Sequence, residues 1–155
     1  MEKLYKTYYS CEIGVLEITG SETGILSIGF VDGDLAAQTA VPDCLKECVR
    51  QLDEYFNYKR KEFDLKLLPE GTDFQIKVWK ELQTIPYGET VTYGEIAVKS
   101  GNCKACRAVG NANNKNMIAI IIPCHRIIGS NGKLTGYAGG LWRKEWLLKH
   151  EKAWR

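Results

Sequence analysis

Polar and apolar positions alternate at first. Strand-like runs at 4–9, 15–19 and 25–31 are separated by Gly14, Gly20-Ser21, Gly24 and Asp32-Gly33, a spacing that predicts an antiparallel meander. The period then changes. Beyond Pro42, placed as a first helical residue, apolar groups fall at Leu45, Cys48, Val49, Leu52, Tyr55 and Phe56, a stripe that lets one helix lie on the sheet. Residues 63–68 read as one more strand. Pro69-Glu70-Gly71 then marks a domain boundary, giving an N-terminal α/β domain at 1–70 and a second domain at 71–155.

The second half reads as mostly helical. Thr72-x-x-Gln75 is a capping box for a helix that carries Trp79 and Leu82 and stops before Pro86. A second box, Thr92-x-x-Glu95, opens a short helix that Gly101 closes. A third helix over 103–113 places Cys106, Val109 and Ala112 or Asn113 inward and Lys104, Arg107 and Asn111 outward. Two short helices joined by a turn containing Gly form a helix-turn-helix candidate. The apolar run at 117–122 predicts a buried strand that Pro123 ends, presenting Cys124 at its tip. Ser130-Asn131-Gly132 is a turn, and Gly136-Tyr137-Ala138-Gly139-Gly140 is a loop whose glycines allow close backbone approach to a ligand. A last helix over 141–152 offers Trp142, Trp146 and Leu148 to the core. The fold class is therefore α/β in the α+β sense: an antiparallel sheet with a packed helix, followed by a mostly helical domain.

Composition narrows the function classes. With 155 residues, 45% hydrophobic and 26% charged, the chain reads as a soluble globular protein with a real core. No stretch approaches 18 consecutive apolar residues, and the N-terminus lacks an apolar signal core, so a cytoplasmic protein without a membrane partner is expected. Six cysteines in that setting read as reduced thiols. Cys103-x-x-Cys106 invites a zinc reading, but zinc needs two further ligands and the only histidines are His125 and His150. Charge is unevenly spread: residues 1–70 carry 8 Lys/Arg against 13 Asp/Glu, a net of −5, and residues 71–155 carry 13 against 6, a net of +7. Such asymmetry fits a polyanion on the C-terminal side, nucleic acid being the obvious one, or an ordinary solvated Lys-rich surface.

Within this frame, Cys124 at a strand tip is placed for chemistry. A thiol becomes a useful nucleophile when a base or a positive charge stands beside it, and His125 and Arg126 follow directly. Ile122-Pro123-Cys124-His125-Arg126-Ile127-Ile128 resembles the active-site motif of the O6-alkylguanine-DNA alkyltransferases. The stretches 86–97 (PYGETVTYGEIA) and 107–112 (RAVGNA) resemble that family's DNA-binding helices. Gly136-Tyr137-Ala138-Gly139-Gly140 and Lys144-Glu145-Trp146-Leu147-Leu148 resemble its pocket loop and closing helix. These matches cover most of residues 72–151.

The resemblance implies irreversible, once-per-molecule transfer of a methyl or alkyl group from O6 of guanine, with O4 of thymine a further candidate, onto Cys124. Because O6 lies inside the duplex, the base must be swung out first, at a cost of a few kcal/mol. By the same resemblance Arg107 fills the space left by the flipped base, and the helix-turn-helix enters the minor groove, where bases are poorly distinguished. Cys124 is the nucleophile, His125 its base through a water, and Glu151 the carboxylate that orients the imidazole. Tyr93 donates to the base ring as charge develops on it. Asn116 ties the helix-turn-helix to the active-site strand and orients the thiol. Tyr137 forms a pocket wall, Ala138 turns its N–H toward O6 where many relatives carry Ser, and Asn102 and Ser130 touch the DNA backbone. Some relatives hold zinc in the N-terminal half, but residues 20–26 contain neither Cys nor His, so no metal is expected, nor any cofactor. The implied partner is double-stranded DNA carrying O6-alkylguanine, and the implied state is a monomer. Two rival readings are a lesion-binding module that does no repair and a thiol hydrolase using Cys124 and His125. Only the alkyltransferase reading adds one methyl group to the Cys124 peptide.

Overall fold

A computed structural model describes residues 2–32 and 40–152, so Gly33 of the expected Asp32-Gly33 turn lies outside the described residues. The chain divides into two compact units, Met1–Glu70 and Gly71–Arg155. In the first, β1 (Tyr5–Cys11), β2 (Gly14–Gly20) and β3 (Ile25–Val31) form an antiparallel sheet in the order β1-β2-β3. Tyr8 pairs with Glu17 and Ile18 with Ile28, while the register shifts between Thr19 and Gly20. Alternation turns Leu16 and Ile18 inward, where α1 (Asp43–Phe56) covers them with Leu45, Cys48, Leu52 and Tyr55. Pro42 is the N-cap of α1 rather than its first helical residue.

The strand expected at 63–68 is reduced to one parallel bridge, Ile25 to Leu67, with Ile25 N–H donating to Lys66 O and Leu68 N–H to Ile25 O. The side chain of Gln51 supplies the reason. It accepts from Asp64 N–H at 2.9 Å and donates to Asp64 O at 3.0 Å, so α1 occupies backbone groups that a ladder would need.

In the second unit, α2 (Asp73–Leu82), α3 (Tyr93–Lys99) and α4 (Cys106–Asn114) pack on one another. Thr72 and Gln75 close both halves of the capping box. Thr92 accepts from Glu95 N–H at 3.2 Å and opens α3. Trp79, buried, donates its indole N–H to Ala112 O at 2.8 Å and so fastens α2 to α4. Gly71 is required beside it: a Cβ there would lie 2.7 Å from the Trp79 ring. The helix expected from 103 begins at Cys106, which is exposed rather than inward; Val109, Ala112 and Asn113 form its buried side. A two-residue strand, β4 (Val91–Thr92), pairs in parallel with β5 (Ile127–Ile128), and α5 (Leu141–His150) closes the unit. That pairing sets the start of the helix-turn-helix beside the segment that carries Cys124.

The expected strand at 117–122 does not form. Ile118, Ile120, Ile121 and Ile122 are buried and Met117 is exposed, but the backbone turns repeatedly: Ile120 has φ 72, Ile121 N–H donates to Ala119 O, and Ile122 N–H to Ile118 O. A second tight turn follows at Pro123, with Cys124 N–H donating to Ile122 O at 2.7 Å. Asn116 is the spindle of this coil. Its amide donates to Ile122 O at 2.8 Å and to Ile118 O at 3.3 Å, and its carbonyl accepts from Ile118 N–H at 3.0 Å. A side chain thus satisfies the backbone groups that a neighbouring strand would otherwise have satisfied.

Candidate active site

Cys124 opens a short 3-10 turn, Cys124–Arg126, and does not stand at a strand tip. All three residues of the turn are buried, Cys124 to 6% exposure and His125 completely. The turn is held from two sides: Asn113 of α4 donates to Cys124 O at 3.3 Å, and α5 packs against it from the C-terminal end. The Cys124 thiol is therefore kept in a dry, constrained place. Burial pushes the Cys124 thiol up, while a hydrogen bond from Asn116 and the charge of Lys144 pull it back down.

His125 points its Nε2 at Glu151 Oε2, 2.8 Å away, with both side chains fully buried. A carboxylate can only accept, so Nε2 carries the proton and Nδ1 is left with its lone pair. Nδ1 has no hydrogen-bond partner among the described residues. Burial lowers the imidazole's affinity for a second proton, against the pull of Glu151, so the ring is held neutral with one nitrogen ready to accept. This is the protonation state a general base needs.

Glu151 is the junction of the site. Burial by itself would raise its carboxyl, but His125 and Arg126 outweigh burial and hold it below the usual carboxylate range. Arg126 grips it with two bonds, Nε to Oε1 at 2.8 Å and Nη2 to Oε2 at 3.1 Å, and donates from Nη1 to Ile85 O at 2.6 Å. Arg126 is thus no positive neighbour for the thiol, as its place in the motif suggested. It serves the carboxylate instead.

Around this centre the expected site residues separate into two groups. Cys124, His125, Glu151 and Asn116 converge on the turn. Tyr93, at the start of α3, has its hydroxyl on Thr135, 3.0 Å from Oγ1 and 3.2 Å from the carbonyl. Arg107 on α4, Asn102, Ser130 and Ala138 are exposed, and Tyr137 is half-buried. Asn102 caps its own turn by accepting from Lys104 N–H at 3.0 Å. Gly136 and Gly140 adopt φ 49 and 98, conformations that a residue with a Cβ rarely takes, and Gly140 is the N-cap from which α5 starts. Trp142, expected in the core, is 56% exposed and lies against the Arg143 guanidinium.

Sequence reasoning gave no role to Lys144, Asn113 or Thr135. Lys144 is completely buried and donates to Thr135 O at 2.6 Å, the carbonyl that Tyr93 also reaches. A signal for it did exist: residues 144, 147, 148 and 151 share one face of a helix, so a stripe built on Leu147 and Leu148 carries Lys144 and Glu151 inward. Among the described residues no group of His, Cys, Asp and Glu is arranged to hold a metal ion, and no helix is long and apolar enough to cross a membrane.

A family model described as 6-O-methylguanine DNA methyltransferase, DNA binding domain, matches residues 73–153, and one described as the ribonuclease-like domain of the same protein matches residues 4–69. The methylated-DNA–protein-cysteine methyltransferase of Methanosarcina acetivorans is 52% identical over 155 residues, covering 96% of this chain and 98% of its own. The fold matches the crystal structure of Mycobacterium tuberculosis O6-methylguanine methyltransferase with a TM-score of 0.86 at 44% identity, over 99% of this chain and 95% of that one. It also matches Mycobacterium tuberculosis OGT in complex with DNA, with a TM-score of 0.86 at 47% identity, over 94% and 91% of the two chains. Matched in both halves and along nearly its whole length, the chain belongs to the 6-O-methylguanine DNA methyltransferase family.

Proposed function

We propose that this protein repairs DNA by direct reversal, taking a methyl or larger alkyl group from O6 of guanine onto Cys124, once per molecule. The observation that carries this reading is the buried Cys124-His125-Glu151 series, with Nε2 of His125 committed to Glu151 at 2.8 Å and Nδ1 left as an acceptor. Family membership and the DNA-bound relative support duplex DNA as the partner. Residues 71–155 are the DNA-binding and alkyl-transfer domain, and residues 1–70 the α/β domain that precedes it. That none of the six cysteines is in a disulfide supports a reducing, cytoplasmic location.

The reaction balances without a cofactor. His125 takes the thiol proton through a water, and the sulfur lone pair attacks the alkyl carbon. The S–C bond forms as the C–O6 bond breaks, and the electron pair of that bond goes to the guanine, which recovers a proton at its ring. Tyr93 would exchange its bond to Thr135 for one to the base ring, and Ala138 N–H would face O6. Asn116 holds the coil that sets the sulfur's direction. Arg107, exposed on α4, would fill the stack after the base leaves it, with Asn102 and Ser130 on the phosphates and Tyr137 against the extruded base.

Incubation with duplex DNA carrying radiolabelled O6-methylguanine tests the reading. The expected result is one label per protein molecule, all of it on the peptide containing Cys124, and none in Cys124→Ser. Turnover of many lesions per molecule, or binding without transfer, would overturn it.

A further inference from the structure

One motif has no part in the alkyl transfer: Cys103-x-x-Cys106. Of the six cysteines these two are exposed, whereas Cys48 and Cys124 are buried and Cys11 and Cys44 half-buried, so a thiol reagent in solution meets this pair first. Among the described residues no third metal ligand joins them, and two fall short of the four that zinc takes.

The backbone sets the pair within reach of each other. Cys103 and Lys104 are the central residues of a turn in which Asn102 O accepts from Ala105 N–H at 3.0 Å, and neither has a positive φ, which makes the turn type I. Asn102 Oδ1 fixes the same turn by accepting from Lys104 N–H at 3.0 Å. Ala105 has φ −94 and ψ 25, and its carbonyl accepts from Val109 N–H at 2.8 Å, so the right-handed coil runs on into α4 at Cys106. Three residues apart on such a coil, Cys103 and Cys106 are neighbours on one face, with Cβ atoms about 5–6 Å apart. A disulfide holds its Cβ atoms about 3.5–4.5 Å apart, so the pair is about 1–2 Å from bridging. Asn102 precedes the pair and Arg107 follows it, while Cys106 Sγ lies beside α3, 3.9 Å from where a Cβ on Gly94 would stand. Lys99, Lys104 and Arg107 are exposed around it, a positive surface that draws anions.

We propose that Cys103 and Cys106 form a reversible disulfide, made by exchange with an anionic low-molecular-weight disulfide, that weakens engagement of duplex DNA. The thiolate of one cysteine attacks a sulfur of the reagent, the reagent's S–S bond breaks, and one reagent thiol leaves. The second cysteine then attacks the mixed disulfide, the protein S–S bond forms, and the second reagent thiol leaves. The pair is oxidised by two electrons, the reagent is reduced by two, and both protons end on the released thiols. In a reducing compartment the dithiol is the resting state, and a disulfide formed there is transient and redox-sensing. Closing the bridge draws in the start of α4, and Arg107 with it, by about 1–2 Å. A misplacement of about 1 Å in a positioning element can cost about 10²-fold in rate. The effect on repair rests on the function proposed above, whereas the bridge itself does not.

The full chain is equilibrated with glutathione disulfide, its remaining thiols are blocked with iodoacetamide in denaturant, and it is digested with trypsin. Cleavage after Lys104 separates peptides 100–104 and 105–107, so the bridge is read as these two peptides joined. The expected result is joined peptides with Cys124 still a thiol, transfer from methylated duplex slowed about tenfold or more, transfer from free O6-benzylguanine unchanged, and recovery on adding dithiothreitol. Cys103→Ser is expected to match the reduced wild type and to be insensitive to the oxidant. Glutathione held on either cysteine without joined peptides would refute the switch, as would joined peptides with an unchanged duplex rate or equal slowing on both substrates. Affinity for a fluorescent undamaged duplex, read by anisotropy, needs no alkyl transfer. A lower affinity in the bridged form supports the switch even where the reduced protein repairs nothing, a failure that would remove the proposed function alone; an equal affinity refutes the switch. By linkage, saturating duplex is expected to protect the pair from bridging by the same factor.

Discussion

Arg126→Met is the most informative single change, because Arg126 and His125 share Glu151 as their partner. The substitution keeps most of the side-chain volume and removes the three hydrogen bonds that Arg126 makes, two to Glu151 and one to Ile85 O. Breaking a buried ion pair from one side costs about 3–5 kcal/mol, since the surviving charge stays buried. An orphaned buried carbonyl adds about 1–3 kcal/mol where it cannot relax, but the two costs overlap and the lower figure is taken for the whole. Against a total stability of about 5–15 kcal/mol for a protein of this size, and a sensitivity of about 2–4 °C per kcal/mol, the melting temperature should fall by at least about 6 °C. His125 provides a second readout. Arg126 lowers its proton affinity while Glu151 raises it, so losing the guanidinium should move the acid limb of the transfer rate to higher pH. Thermal unfolding by circular dichroism and single-turnover methyl transfer between pH 5 and 9 check both effects. A cost below about 1 kcal/mol, the scale of an exposed salt bridge, together with an unmoved acid limb, would refute the view that Arg126 and Glu151 act as one buried unit.

The same carboxylate sets the acid stability. Its folded-state pKa lies below the unfolded value of about 4.3, so its contribution is complete above that pH and is lost as the pH falls toward the folded value; Glu151→Gln should flatten the decline in stability below about pH 4.5, measured by urea unfolding. Trp79→Phe deletes the buried bond between α2 and Ala112 O but leaves that carbonyl the N–H of Lys115 at 3.2 Å, so it should cost about 0.5–1.5 kcal/mol, a net hydrogen bond, in the same experiment. Arg107→Ala should slow transfer from methylated duplex far more than transfer from free O6-benzylguanine, because only the duplex demands extrusion; equal losses in single-turnover assays would assign Arg107 another task.

What could be read from the chain was what depends on neighbours in sequence. Alternation over 4–31 sets three strands, and the stripe from Leu45 to Phe56 sets one amphipathic helix. Thr72 and Thr92 cap the helices that follow them, since capping is decided within four residues. The Pro-Cys-His-Arg run and its flanking segments carried the family resemblance for the same reason: Cys124 and His125 are adjacent. Three-dimensional packing decided the rest. An apolar run tells only that residues are buried, so 117–122 could not reveal that Asn116 would take up its backbone groups in place of a neighbouring strand. Nor could it be read from spacing that Arg126 turns away from the sulfur to Glu151, 25 residues on, or that Lys144 is sealed from water. A buried charge is tolerated only where partners from distant segments meet it, and those meetings exist only once the helices have packed.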